Sequence, residues 1–128
     1  MMGLLVALVL YLVGQKQQVS AIENGAINGF NIDGAYRDVE SDYINLSFHK
    51  DENHRWQINS IENTTEGTFR ETGDPNIFVL VDRLGNEYGS IHIAYISPNE
   101  TSGVLYLTTA TKVIRFNKTL NVPAFVEH

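Results

Sequence analysis

The chain has 128 residues, 43% of them apolar, and 15 acidic against 9 basic side chains give it a net charge of −6. That length allows one domain with a modest core. The acidic balance argues against nucleic acid and anionic membranes as partners, since Lys and Arg supply most of the affinity for phosphate-bearing surfaces. With no cysteine there is neither a disulfide framework nor thiolate chemistry, so the core alone must hold the fold.

Residues 4–13 form an unbroken apolar run, too short for a hydrocarbon core that needs about 20 residues but of the right length for the apolar part of a signal peptide. Polar Gln15, Lys16, Gln17 and Gln18 follow, then Val19-Ser20-Ala21, which has the small-residue form that a signal peptidase reads. Cleavage after Ala21 is the natural expectation, leaving residues 22–128 as a single domain. No Lys or Arg precedes the apolar run, so an uncleaved membrane tether at residues 1–21 is the alternative. Either way the domain is expected outside the cell, secreted or at the surface, and an exported chain without cysteine fits a bacterial source.

From Asp33 onward, apolar and polar residues alternate in about eight short stretches closed by turn residues, with no amphipathic helix among them. Residues 35–39 open the series. Residues 43–49 put Ile44, Leu46 and Phe48 on one face and Tyr43, Asn45 and Ser47 on the other. After the polar loop 50–53, residues 55–58 alternate again and turn Trp56 and Ile58 inward in a hairpin with the preceding strand. Residues 67–70 make a shorter strand, stopped by Gly73, Asp74, Pro75 and Asn76. Residues 77–81 are apolar at every position, as in a strand covered on both faces, one by the interior and one by a terminal segment. Residues 88–95 place Gly89, Ile91, Ile93 and Tyr95 on one face. Residues 104–108 and 112–116 complete the set, with Ile114 and Phe116 sharing a face, and the apolar tail 122–126 is suited to pack across the outside or the bottom.

So many short strands escape exposed edges most economically by closing. The predicted fold is all-β, a small antiparallel up-and-down meander closed into a barrel of about eight strands. A β-sandwich is the alternative, because short strands with regular turns suit both architectures.

The Gly34-Ala35-Tyr36 triplet, followed near the end of the series by Arg115, resembles the lipocalin-like, or calycin, barrels. In that superfamily a Gly-x-Trp at the start of the first strand packs against an Arg on the last, and here Tyr36 stands where the tryptophan would be. The resemblance implies an up-and-down barrel. It also implies that Tyr36 and Arg115 form a structural cation–π pair at the closed end.

An eight-stranded barrel either fills with its own side chains or encloses one small ligand, and the bulk of the inward residues decides. Alternation turns Phe48, Trp56, Phe69, Phe78, Tyr95 and Phe116 inward, enough to fill much of the interior. The competing reading is a narrow apolar pocket with Trp56, Tyr88 and Tyr95 at the mouth, suited to a flat or acyl-chain ligand. His49 and His54 flank the 50–53 loop with Asp51 and Glu52 between them, a weak candidate for zinc or copper because no third ligand is forced nearby. The acidic residues Asp33, Asp38, Glu40 and Asp42 read as a solvated, charged edge, since no calcium-loop spacing is present.

No nucleophile elbow, zinc-protease motif or phosphate-cradling glycine loop occurs, so neither a catalytic set nor a cofactor is assigned. The expectation is a non-enzymatic exported barrel that binds a small hydrophobic ligand or a protein partner. The alternatives are a structural or inhibitory protein with a filled core acting through its acidic surface, and a calycin-type enzyme working on a small organic acid or lipid.

Overall fold

The computed structural model describes residues 29–41 and 43–126; the apolar segment and candidate cleavage site within residues 1–21 lie outside them. Eight strands run in chain order: β1 Gly34–Asp38, β2 Asn45–His49, β3 Arg55–Asn59, β4 Thr64–Glu71, β5 Ile77–Asp82, β6 Glu87–Ile96, β7 Gly103–Thr108 and β8 Val113–Leu120. Each pairs antiparallel with its successor, and β8 returns to pair with β1, so the sheet is one closed up-and-down barrel and not a sandwich. The described residues contain no helix.

Alternation explains the core. Leu46, Phe48, Trp56, Phe69, Phe78, Leu80, Ile91, Ile93, Leu105, Leu107 and Phe116 are all buried, and Ile32 and Tyr36 join them from the start of the barrel. The rings interlock edge to face: Tyr36 on Phe48 at 5.8 Å, Phe48 on Phe69 at 5.6 Å and Phe69 on Phe78 at 5.5 Å between centroids. Each such pair adds about 0.5–1.5 kcal/mol beyond the area it buries.

Trp56 is the largest wholly buried side chain, and its indole N–H donates to two backbone carbonyls, Thr68 O and Val81 O, each at 3.0 Å. Gly67 lies directly across from it in the β3–β4 register. A Cβ at Gly67 would run into the Val81 carbonyl oxygen, so the missing side chain is what lets β5 approach closely enough to present that acceptor. The β5–β6 register shifts between Leu80 and Val81, next to the same carbonyl.

Several strands exceed the predicted bounds by a residue or two, and β4 and β8 do so by more. β4 starts at Thr64 because Thr64, Thr65 and Glu66 pair with Asn59, Ile58 and Gln57, although Glu66 breaks the apolar pattern. β8 runs on to Leu120 because its far end is what closes the barrel, with Lys118 opposite Tyr36.

A bulge corrects the placement of Tyr95. The register of β6 on β7 shifts between Ile93 and Tyr95, so one extra residue reverses the parity beyond Ile93. Ile96 enters the core in its place, and Tyr95 is half-buried with its ring edge-on to Phe30 at 6.4 Å. The tail runs over the outside of the barrel, as expected, and lies on β2 and β3; the outward Ile77, Val79 and Val81 of β5 are half-buried.

Candidate functional site

Of the three aromatic residues expected at a pocket mouth, the fold brings two together. Trp56 and Tyr88 lie 4.9 Å apart between centroids with their planes tilted by 36°, and burial pushes the Tyr88 phenol up from its ordinary value. Tyr95 packs elsewhere, on Phe30. Trp56 belongs to the packed interior, with no exposed surface and its N–H already engaged.

A cation does lie against Tyr36, but it is Lys118 and not Arg115. The Lys118 Nζ lies 5.9 Å from the Tyr36 ring centroid, whereas Arg115 is exposed and stands opposite Tyr106. The Tyr36 hydroxyl donates to Ile32 O at 2.8 Å, and burial, with the charges of Asp33 and Glu100, pushes its ionisation well above the ordinary tyrosine range. Lys118 is 6% exposed, and its Nζ is enclosed without a hydrogen-bond partner. Desolvation therefore lowers its pKa, although Glu100 and Asp33 pull the other way.

The weak metal candidates separate into two local pairs. His49 Nδ1 lies 3.1 Å from Glu52 Oε2; His54 Nε2 is 3.8 Å from Glu71 Oε1, and its ring packs against Phe69. Among the described residues no group of three or more His, Cys, Asp or Glu side chains is placed to hold a metal ion. Two of the acidic residues in the β1 region are structural and not merely solvated: Asp38, which is buried, accepts from the Glu40 N–H at 2.8 Å, and Asp33 accepts from the Lys50 N–H at 2.8 Å.

The most elaborate polar arrangement is on the outer face of β2–β4, beneath the tail. Because Leu46, Phe48 and Trp56 face inward, Ser47, Gln57 and Asn59 face outward, yet Ser47 is 1% exposed and Gln57 0%. Tail residues 124–126 cover them. The Ala124 N–H donates to Ser47 Oγ at 3.0 Å, the Val126 N–H donates to Gln57 Oε1 at 2.7 Å, and Gln57 Nε2 donates back to Val126 O at 2.9 Å. The Gln57 amide thus grips both backbone groups of one residue, as a neighbouring strand would.

That amide is fixed from the side. Asn59 Nδ2 donates to Gln57 Oε1 at 2.8 Å, and Gln57 Nε2 donates to Glu66 Oε2 at 3.1 Å; turning the amide over would set like against like at both contacts. Asn59 is held in turn by Thr64, whose hydroxyl donates to Asn59 Oδ1 at 2.8 Å. Glu66 also accepts from Arg55 at 3.0 Å and from Arg83, and the Arg55 guanidinium lies 4.0 Å over the Phe125 ring. Glu66 therefore anchors three donors. Replacing it with Leu is expected to cost about 2–4 kcal/mol by taking a charged acceptor from Gln57, Arg55 and Arg83 at once, which urea unfolding would register as a lower midpoint at unchanged slope.

Several grooves indent the described residues, among them two of similar volume. One of 560 Å³ follows the outer wall of β3–β5, lined by Arg55, Glu66, Thr68, Val81, Asp82 and Arg83 among others. The other, of 540 Å³, sits at a barrel end between Phe30, Ile32, Lys50, Glu71, Pro75 and Phe78. Sequence reasoning missed the outer network. Its one visible signal is the run of uncharged amide and hydroxyl residues, Asn45, Ser47, Gln57, Asn59 and Thr64, at outward positions of adjacent strands where exposed strands more often carry charge. Comparison with protein-family models, with curated proteins and with solved structures finds no match to this chain.

Proposed function

We propose that this chain is an exported, non-enzymatic binding domain that engages a protein partner through the outside of a filled barrel. The observation that carries the reading is the packing of the interior. Tyr36, Phe48, Trp56 and Phe116 have no exposed surface, and the Trp56 N–H is already bonded within the wall. A carrier barrel needs unfilled interior space lined by apolar groups, whereas the β3–β5 groove lies on the outer wall and the end groove mixes Lys50, Glu71 and Asp74 with Phe30, Ile32 and Phe78. Support for export comes from the apolar run at residues 4–13 and from Val19-Ser20-Ala21. The up-and-down closure is in keeping with a relationship to the calycin barrels.

Native mass spectrometry of the purified chain, offered saturated fatty acids of eight to sixteen carbons, tests this reading. The bare chain is the expected species. A stoichiometric adduct that survives desolvation would overturn the filled-barrel reading and move the function to a small apolar ligand, for which the end groove between Phe30 and Phe78 is the available place.

A further inference from the structure

We infer that the outer face of β2–β4 is a docking site for an extended peptide segment of a partner protein, occupied in this chain by its own residues 124–126. The inference rests on the protein-binding reading above and names the surface and the chemistry of the partner.

Three observations point to a recognition site rather than a simple strap. The first is that the contacts are directed at peptide backbone. Ser47 takes the N–H of Ala124, and Gln57 takes both the N–H and the C=O of Val126, two residues further on. That is the spacing at which an extended strand turns successive polar groups to the same side. Contacts of this kind give affinity for any extended segment, and selectivity must come from a side chain between them. Phe125 occupies that position, under the Arg55 guanidinium at 4.0 Å.

The second is that the site does not depend on its occupant for its shape. Asn59 and Glu66 fix the Gln57 amide, and Glu66 and Glu52 hold Arg55 at 3.0 and 3.5 Å. With the tail lifted away, one donor and one acceptor still face outward at the separation of one residue's backbone groups. Such preorganisation lowers the cost of binding.

The third is that the occupant is lightly attached. Val122 is 64% exposed and Val126 47%, and only Pro123 and Phe125 are partly buried, so the tail leaves much of its apolar surface in solvent and is tied down by three hydrogen bonds and one ring contact. Arg55 and Glu66, which serve the tail, also line the 560 Å³ groove on β3–β5. A longer segment from another protein therefore has an adjoining surface to lie along. The partner chemistry is an extended strand-like segment with an aromatic residue flanked by small or β-branched ones, as in Ala124-Phe125-Val126.

The cis tail competes at an effective concentration on the order of millimolar, so the test weakens it within the full chain. The probe is a fluorescein-labelled hexapeptide, Asn-Val-Pro-Ala-Phe-Val, followed by fluorescence polarisation. In the variant F125A/V126P the tail loses its ring contact and the N–H that Gln57 accepts. This variant is expected to bind the probe at least tenfold more tightly than the unaltered chain, and adding Q57L is expected to reverse the gain. Should Q57L disturb folding by circular dichroism, S47A and R55M in the same background are each expected to weaken the probe severalfold. A folded F125A/V126P chain that binds the probe no better than the unaltered chain overturns the inference. So does a dimer of the unaltered chain that Q57L abolishes, because the site would then exchange tails between copies. A fatty-acid adduct is a separate result and bears on the parent reading alone.

Discussion

Replacing Trp56 with alanine is expected to remove about 3–5 kcal/mol of folding free energy, a large share of the about 5–15 kcal/mol that holds a domain of this size. The side chain is wholly buried, stacks on Tyr88 at 4.9 Å, and joins three strands through one N–H: β3, which carries it, β4 through Thr68 O, and β5 through Val81 O. Alanine leaves a cavity and two inward carbonyls without that donor. Trp56→Phe separates the two effects, since it keeps most of the packing and removes only the donor. Its expected cost is about 1–3 kcal/mol. Guanidinium unfolding followed by circular dichroism measures both variants. If W56F matches the unaltered chain, the shared N–H contributes nothing and the cost of W56A is packing alone.

The fold was largely legible because a closed meander writes itself into sequence as period two. Wherever the pattern is clean and the outer face is uncovered, as in Leu105 and Leu107 of β7, alternation and burial agree. It fails at irregularities. The bulge after Ile93 costs one residue of parity and exchanges Tyr95 for Ile96, and nothing in the local composition of β6 marks its position. The start of β4 is hidden for another reason: Thr64, Thr65 and Glu66 belong to the strand through their partners on β3, a property of pairing and not of their own sequence.

The contact between Tyr36 and Lys118 is a different case. Alternation through Ile114 and Phe116 puts Lys118 on the inner face and Arg115 on the outer one, and the burial of β8 follows that rule. The pairing of Tyr36 with Arg115, drawn from a family motif, runs against the same parity. Parity is the sounder guide here, but the predicted strand stops at residue 116, so Lys118 enters the inner face only because β8 runs on to Leu120. The tail site was least legible of all. Residues 124–126 and Gln57 are far apart in the chain, and a glutamine at an outward strand position is ordinary until something covers it.

The enclosed lysine yields the second large effect. Replacing Lys118 with methionine is expected to stabilise the fold, raising the melting temperature by about 5 °C or more if about 1 kcal/mol or more is recovered. The attractions on Nζ are its position 5.9 Å from the Tyr36 ring and the more distant charges of Asp33 and Glu100. Against them stands the loss of hydration by an amine that has no hydrogen-bond partner. Desolvation is the larger influence, because the pKa falls below its ordinary value of 10.5. Methionine keeps the length of the stem and removes the group that lacks a partner.

The pH dependence gives this prediction its own signature. A lysine whose folded pKa is depressed binds fewer protons folded than unfolded in the window between that pKa and 10.5, so stability rises with pH across the window. Below the window the full cost of the buried charge remains. Tyr36 works in the opposite sense. Its folded ionisation is held far above the ordinary 10.0, so above about pH 10 the unfolded chain loses this proton while the folded chain keeps it, and stability falls. With the other groups contributing equally to both proteins, thermal unfolding from neutral to strongly alkaline pH should show the unaltered chain gaining on K118M as pH approaches 10. Both should then decline together as Tyr36 takes over. A gap between the two chains that does not narrow over that range would mean that Lys118 is not the group whose burial the fold opposes.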